Sequence, residues 1–204
     1  MKNVISIDTN ENPAILKFVE MSSDEKINEI QLEAEAIIGR NGVTREKREG
    51  DGKTPLGEFG IGIVFGMYDR EKIKLGDSLE YVKINENLYW VDDSSSKYYN
   101  QLVDITKVDI DWKSAEHLID YKVQYEFALE IKTNPENIPG KGSAIFIHCS
   151  NGSQTAGCIA LPREKMIELL AKIDKYTKIR IVWYYKKQRR KPLKSLCRNK
   201  RGFS

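Results

Sequence analysis

Apolar residues along the chain fall into short runs: Val4 to Ile7, Ala14 to Val19 just after Pro13, Ile61 to Phe65, Leu88 to Val91, Tyr125 to Ile131, Ala144 to His148 and Ile179 to Tyr184. Turn signals separate them, at Asn41-Gly42, Gly50 to Gly52, Gly76-Asp77 and Pro139 to Gly142. Runs punctuated in this way predict strands, and the chain is expected to be mostly β with few helices. One stretch has the other period. In "PREKMIELLAKIDK", Pro162 suits a first helical turn, and Met166, Ile167, Leu169, Leu170 and Ile173 fall on one stripe, which predicts a helix. No internal repeat is visible.

The stretch "AIFIHCSNGSQTAGCIALP" changes the picture, because His148 closes an apolar strand and Cys158 follows four residues before the helix signal at Pro162. Both reactive side chains thus stand at the exits of packed elements, where functional groups are commonly held. A thiol attacks as its thiolate, and a neighbouring imidazole can take the proton and return it to a leaving amine. Gly157, without a Cβ, lets the backbone turn sharply so that amides around the thiol point at a carbonyl oxygen as an oxyanion hole. The competing reading is a buried small thiol and a satisfied core histidine, and spacing alone leaves both open. Cys149, Cys158 and His148 lack a CxxC or HxxxH pair, so no metal site is expected.

"REGDGKTPLGEFGIG" ends Gly52-Lys53-Thr54 like a phosphate loop, yet Lys47 stands where that pattern needs glycine and Pro55 follows where its helix should continue. Nucleotide binding is rejected there. The segment reads as a glycine-rich turn entering the strand at Ile61.

With 204 residues, 40% hydrophobic and 31% charged, the chain has the balance of one soluble domain, or one domain with an appendage. Three cysteines, Cys149, Cys158 and Cys197, are too few for a disulfide framework. No run of apolar residues is long enough to span a membrane, and Asp8, Asn10 and Glu11 interrupt the amino-terminal stretch before a signal-peptide core forms. The net charge of +3 hides an asymmetry: nine Lys or Arg and no acid stand between Lys186 and Arg201, leaving the remainder at −6. The expected division is therefore residues 1–185 as the folded domain and 186–204 as a basic tail. Like charges with few apolar residues predict a solvated, disordered end. The alternative is an electrostatic tether to an anionic polymer or a membrane surface. Without interleaved aromatics or a recognisable binding fold, no nucleic acid is expected.

Together, "REGDGKTPLGEFGIG" and "AIFIHCSNGSQTAGCIALP" resemble the L,D-transpeptidase catalytic domain, the YkuD-like family, over a layout running roughly from Asn41 to Trp183. The resemblance implies a mixed β-sandwich with one helix after the catalytic cysteine. It implies that Cys158 is the acyl-accepting nucleophile, His148 its general base and Gly157 the glycine of the oxyanion turn, with Thr155 opening the motif on the substrate side. It further implies peptidoglycan stem peptides as partners and a 3-3 crosslinking transpeptidase working through a thioester, with an L,D-carboxypeptidase or a non-catalytic wall-binding module as alternatives. No cofactor is implied, carbapenem inhibition is, and the working place is the cell envelope, outside the cytoplasmic membrane.

Two departures stand out. Ala156 replaces the family's second His, and Ala160 replaces the usual Arg or Asn, removing a planar donor suited to a carboxylate. Further substrate-binding candidates are His117, next to Glu116, and the aromatics of "YWVDDSSSKYYN", Tyr99 foremost with Tyr98 and Trp90.

Overall fold

A computed structural model describes residues 2–76 and 78–183. The basic segment 186–204, Cys197 and the Tyr184 end of the last expected strand lie outside them.

Fourteen strands appear among the described residues: β1 (Lys2–Asp8), β2 (Ala14–Met21), β3 (Ile27–Ala36), β4 (Val43–Thr44), β5 (Thr54–Pro55), β6 (Gly57–Gly66), β7 (Tyr81–Lys83), β8 (Leu88–Val91), β9 (Leu102–Asp104), β10 (Ala115–His117), β11 (Phe127–Lys132), β12 (Phe146–Cys149), β13 (Ile159–Leu161) and β14 (Lys178–Val182). One α-helix, α1 (Arg163–Leu170), follows β13. The chain is mostly β, as the apolar runs predict, and each of the seven expected strands has a counterpart.

The main sheet runs β13-β12-β11-β6-β14-β1-β2-β3, with β7 beside β6. It is mixed, because β12 pairs with β13 and β1 with β14 in parallel, while β1, β2 and β3 form an antiparallel meander. Its two ends meet: Ile37, just past β3, exchanges both backbone hydrogen bonds with Ala160 of β13, at 2.9 and 2.8 Å. The amide and carbonyl of both residues are thereby paired without solvent.

Alternation along the strands sorts side chains onto two cores. Ile147 and Cys149 of β12 face an aliphatic interior with Ile5, Leu16, Leu129, Ile159 and the buried face of α1. Phe146 and Cys158 face an aromatic cluster with Phe65, Trp90 and Tyr125, and the three-stranded sheet β10-β8-β9 contributes Leu88 and Trp90 to it.

The structure revises several boundaries. The predicted helix stops at Leu170 rather than continuing to Lys175: the Lys172 amide bonds the Leu169 carbonyl in a tighter turn, the Leu170 carbonyl accepts the Gly76 amide, and Asp174 with Thr177 closes a further turn. Residues 124–126 form a 3₁₀ turn before β11 rather than the start of that strand. Strand β3, "INEIQLEAEA", carries no apolar run; its inward residues are Leu32, Ala34 and Ala36, and small alanines give a weak signal.

Candidate active site

His148 sits on β12, and period-two alternation turns it to the same side as Phe146, toward the aromatic cluster. It is 7% exposed, with the Tyr125 ring standing edge-on at 5.8 Å. Its Nδ1 lies 2.8 Å from the Cys149 carbonyl oxygen. A carbonyl only accepts, so Nδ1 carries the proton and Nε2 is left as the basic nitrogen. Burial lowers the imidazole pKa, opposed by that backbone bond. The ring is therefore a neutral base at neutral pH.

Cys158 enters the same pocket, of about 250 Å³, whose walls also include Arg40, Glu116, Tyr125, Thr155 and Ala156. The thiol donates to the Ala144 carbonyl at 3.2 Å and accepts the Phe146 amide at 3.3 Å. Burial pushes it up to about 12, Glu116 pushes the same way, and the Phe146 amide and Lys47 oppose. The resting site therefore holds a neutral thiol and a neutral imidazole rather than an ion pair.

The turn carrying the thiol is built by Thr155 and Gly157. The Thr155 hydroxyl accepts the Gly157 amide at 3.2 Å and donates to the Cys158 carbonyl at 2.6 Å. Gly157 has φ +146°, and a Cβ there would stand 2.9 Å from the Lys53 carbonyl, so only glycine fits without strain. Its amide is engaged by Thr155, and its carbonyl accepts the Thr54 hydroxyl at 2.9 Å. Thr155 is thus a brace of the turn that also lines the pocket.

The sequence pairs Glu116 with His117 as a candidate for the cleft, but adjacent strand residues face opposite sides. Glu116 takes the pocket side, where the Tyr125 hydroxyl donates to its carboxylate. Its pKa is raised to about 7 by burial, with Asp92 and Glu49 adding to the rise and Tyr125 opposing it.

His117 is not brought to the thiol. Its ring stacks on Tyr89 at 4.3 Å, with Nδ1 3.1 Å from Asp120 and Nε2 2.9 Å from the Glu86 carbonyl. Tyr99, 2% exposed, does not line the pocket either: its hydroxyl donates to Glu49 at 2.5 Å. Trp90 is buried in the aromatic core and Tyr98 packs edge-on against Trp112. Both departures from the family motif are also placed. Ala156 is exposed on the pocket rim, whereas Ala160 is buried in register with His148.

Thr54 and Lys47 gave no positive signal in the sequence. Thr54 is fully buried and joins three segments, accepting the Gly39 amide at 2.8 Å while donating to Gly157. It belongs to β5, paired in parallel with Val43–Thr44, so Gly52-Lys53-Thr54 leads into a strand.

A strand-borne imidazole and a thiol on a glycine turn, sharing one pocket of a mixed β fold, define a cysteine–histidine site. Residues 6–181 match the YkuD family, the L,D-transpeptidase catalytic domain, and the chain belongs to it. The match begins well before Asn41, taking in the end of β1 and all of β2 and β3. Among solved structures the chain is similar to the Ldtfm–avibactam carbamoyl enzyme, at 14% identity and TM-score 0.42 over 91% of this chain and 50% of that one. It is similar to a mutant Enterococcus faecium L,D-transpeptidase, at 13% and 0.42 over 89% and 50%. It is also similar to L,D-transpeptidase 3 from Mycobacterium tuberculosis with a faropenem-derived adduct, at 13% and 0.41 over 88% and 59%. The chain spans about half the length of the first two and somewhat more of the third. Comparison with curated proteins finds no match.

Proposed function

We propose that the protein is a cysteine acyltransferase acting on peptidoglycan stem peptides, an L,D-transpeptidase that forms 3-3 crosslinks. The observation that carries this reading is the shared pocket of Cys158 and His148, with His148 Nδ1–H held by the Cys149 carbonyl so that Nε2 is the base. Because thiol and imidazole are both neutral at rest, proton transfer accompanies attack. The Cys158 proton passes to His148 Nε2 as Sγ bonds the carbonyl carbon of the L,D-amide between the third-position diamino acid and the terminal D-Ala. The C–N bond then breaks, the imidazolium returns the proton to the departing D-Ala amine, and a thioester remains. An acceptor amine, deprotonated by His148, releases the crosslinked product and the thiol. Water in its place gives the carboxypeptidase reaction. With the Gly157 amide engaged by Thr155, the Cys158 amide is the donor for the oxyanion.

This substrate places the working protein outside the cytoplasmic membrane, in the cell envelope. Residues 1–185 would act as the catalytic unit, and the basic segment 186–204 as a tether to anionic wall polymer or a membrane surface. No helix among the described residues is long and apolar enough to cross a membrane.

The experiment incubates the protein and its Cys158→Ala variant with disaccharide-tetrapeptide and reads the products by mass spectrometry. Crosslinked dimer with loss of D-Ala, formed only when Cys158 is present, is the expected result. Tripeptide alone would assign the carboxypeptidase. Tetrapeptide untouched by both proteins would overturn the stem-peptide acyltransferase in favour of a wall-binding module or a cysteine enzyme for a different amide.

A further inference from the structure

Lys47 stands in the turn between β4 and β5, yet its side chain is only 9% exposed. Its ammonium meets Asp51 Oδ1 at 2.5 Å, and Asp51, itself 16% exposed, also accepts the amides of Lys53 at 2.9 Å and Arg48 at 3.0 Å. The carboxylate is fixed by three donors. Two glycines leave the space that the lysine fills. A Cβ on Gly142 would stand 2.7 Å from Lys47 Cγ, and one on Gly157 would stand 3.2 Å from Nζ. The stem therefore crosses Gly142 and the ammonium ends against Gly157, the residue before the thiol.

Taking an ammonium out of water is costly, and a buried ion pair seldom stabilises a fold more than apolar side chains of the same size would. A positive charge beside a nucleophile has a clear chemical use, since attack gathers negative charge on sulfur and on the carbonyl oxygen. We propose that Lys47 is a positioning residue for Cys158: its ammonium, locked by Asp51 behind Gly157, stabilises negative charge at the thiol during attack. The inference rests on the acyltransferase reading. Lys47 is also the cation that opposes the rise of the Cys158 pKa. From the other wall Glu116 acts on the thiol with the opposite sign, the Tyr125 hydroxyl is coupled to both, and the neutral His148 shares the pocket.

The test is the rate at which iodoacetamide alkylates Cys158 as a function of pH, read on the Cys158 peptide by mass spectrometry so that other thiols do not count. Lys47→Met is expected to move the profile up by about one pH unit, an alkylation rate about tenfold lower on its rising limb, with Lys47→Arg keeping the wild-type profile. Asp51→Asn keeps the ammonium and removes its counter-charge, so its profile is expected to move down. A role in holding the turn alone would shift both variants the same way, and that outcome, or a Lys47→Met profile that overlies wild type, overturns the proposal. If Lys47→Met does not fold by circular dichroism, the Asp51→Asn shift decides alone. Alkylation needs no stem peptide: a shifted profile without muropeptide turnover keeps the Lys47 proposal and overturns the substrate, and turnover with unshifted profiles does the reverse.

Discussion

The Thr54 hydroxyl donates to the Gly157 carbonyl at 2.9 Å, joining residues 103 positions apart and tying the β5 turn to the turn that carries the thiol. The same oxygen accepts the Gly39 amide at 2.8 Å. Three loops are aligned by one buried side chain.

Thr54→Val keeps the shape and removes both bonds, leaving a buried amide and a buried carbonyl without their partner. Each such group costs about 1–3 kcal/mol, so a loss of about 3 kcal/mol is expected in urea unfolding. Cys158 alkylation in the folded variant should slow as well, since the thiol turn loses its anchor.

Gly157→Ala is expected to fold poorly or with a displaced turn, because φ +146° and a Lys53 carbonyl 2.9 Å from the new Cβ both resist it. Backbone strain of this kind costs about 1–3 kcal/mol. Turnover of tetrapeptide should fall by far more than the loss of folded protein explains. Activity equal to wild type in the folded fraction would show that the turn tolerates displacement.

Glu116 predicts a pH dependence of stability. Its pKa rises from 4.5 to about 7 on folding. A folded value above the unfolded one means that the native state holds the extra proton, so the contribution is whole below 4.5 and is lost as pH rises through 7. Glu116→Gln keeps an acceptor for Tyr125 and removes the titration. The variant should melt at the same temperature as wild type near pH 4 and higher at pH 8, by up to about 3 kcal/mol in stability. A gain equal at both pH values would assign the effect to packing.

In the proposed reaction His148 is expected to set the acid limb of activity. Burial lowers its pKa, so the imidazole remains a base below the usual 6.5, and stability contributed by its neutral form is lost as pH falls through 6.5 toward the depressed value. The rate against pH should lose activity only below 6.5. An acid limb above that value would mean that another group titrates.

The two described cysteines should separate cleanly. Cys149 faces the aliphatic core, with its pKa pushed to about 11 by burial, whereas Cys158 lines the pocket. Cys149→Ala should retain turnover and cost about 1 kcal/mol of stability through lost apolar contact. Cys158→Ala should abolish turnover and also cost about 1–3 kcal/mol in urea unfolding, since the buried Phe146 amide and Ala144 carbonyl lose the thiol.

The β class and the helix after the cysteine were legible along the chain, because short apolar runs and a 3.6-residue stripe are local signals, and the Thr-Ala-Gly-Cys turn marked His148 and Cys158 as candidates. The sequence also set which side of β12 is which, since alternation puts His148 opposite Ile147 and Cys149. Tertiary structure decided everything that depends on what arrives from elsewhere. The alternation of β10 places Glu116 opposite His117, yet only the packing of the three-stranded sheet says which of them meets the thiol. Tyr99 sends its hydroxyl to Glu49 rather than to the pocket. Strand β3 and the Ile37–Ala160 closure rest on backbone bonds that any side chain permits, and so leave little trace in residue type. Lys47 and Thr54 belong to a stretch that reads as a glycine-rich turn; Gly142 and Gly157 enclose the lysine, and Gly39 and Gly157 hold the threonine, because burial belongs to the assembled fold and not to the segment.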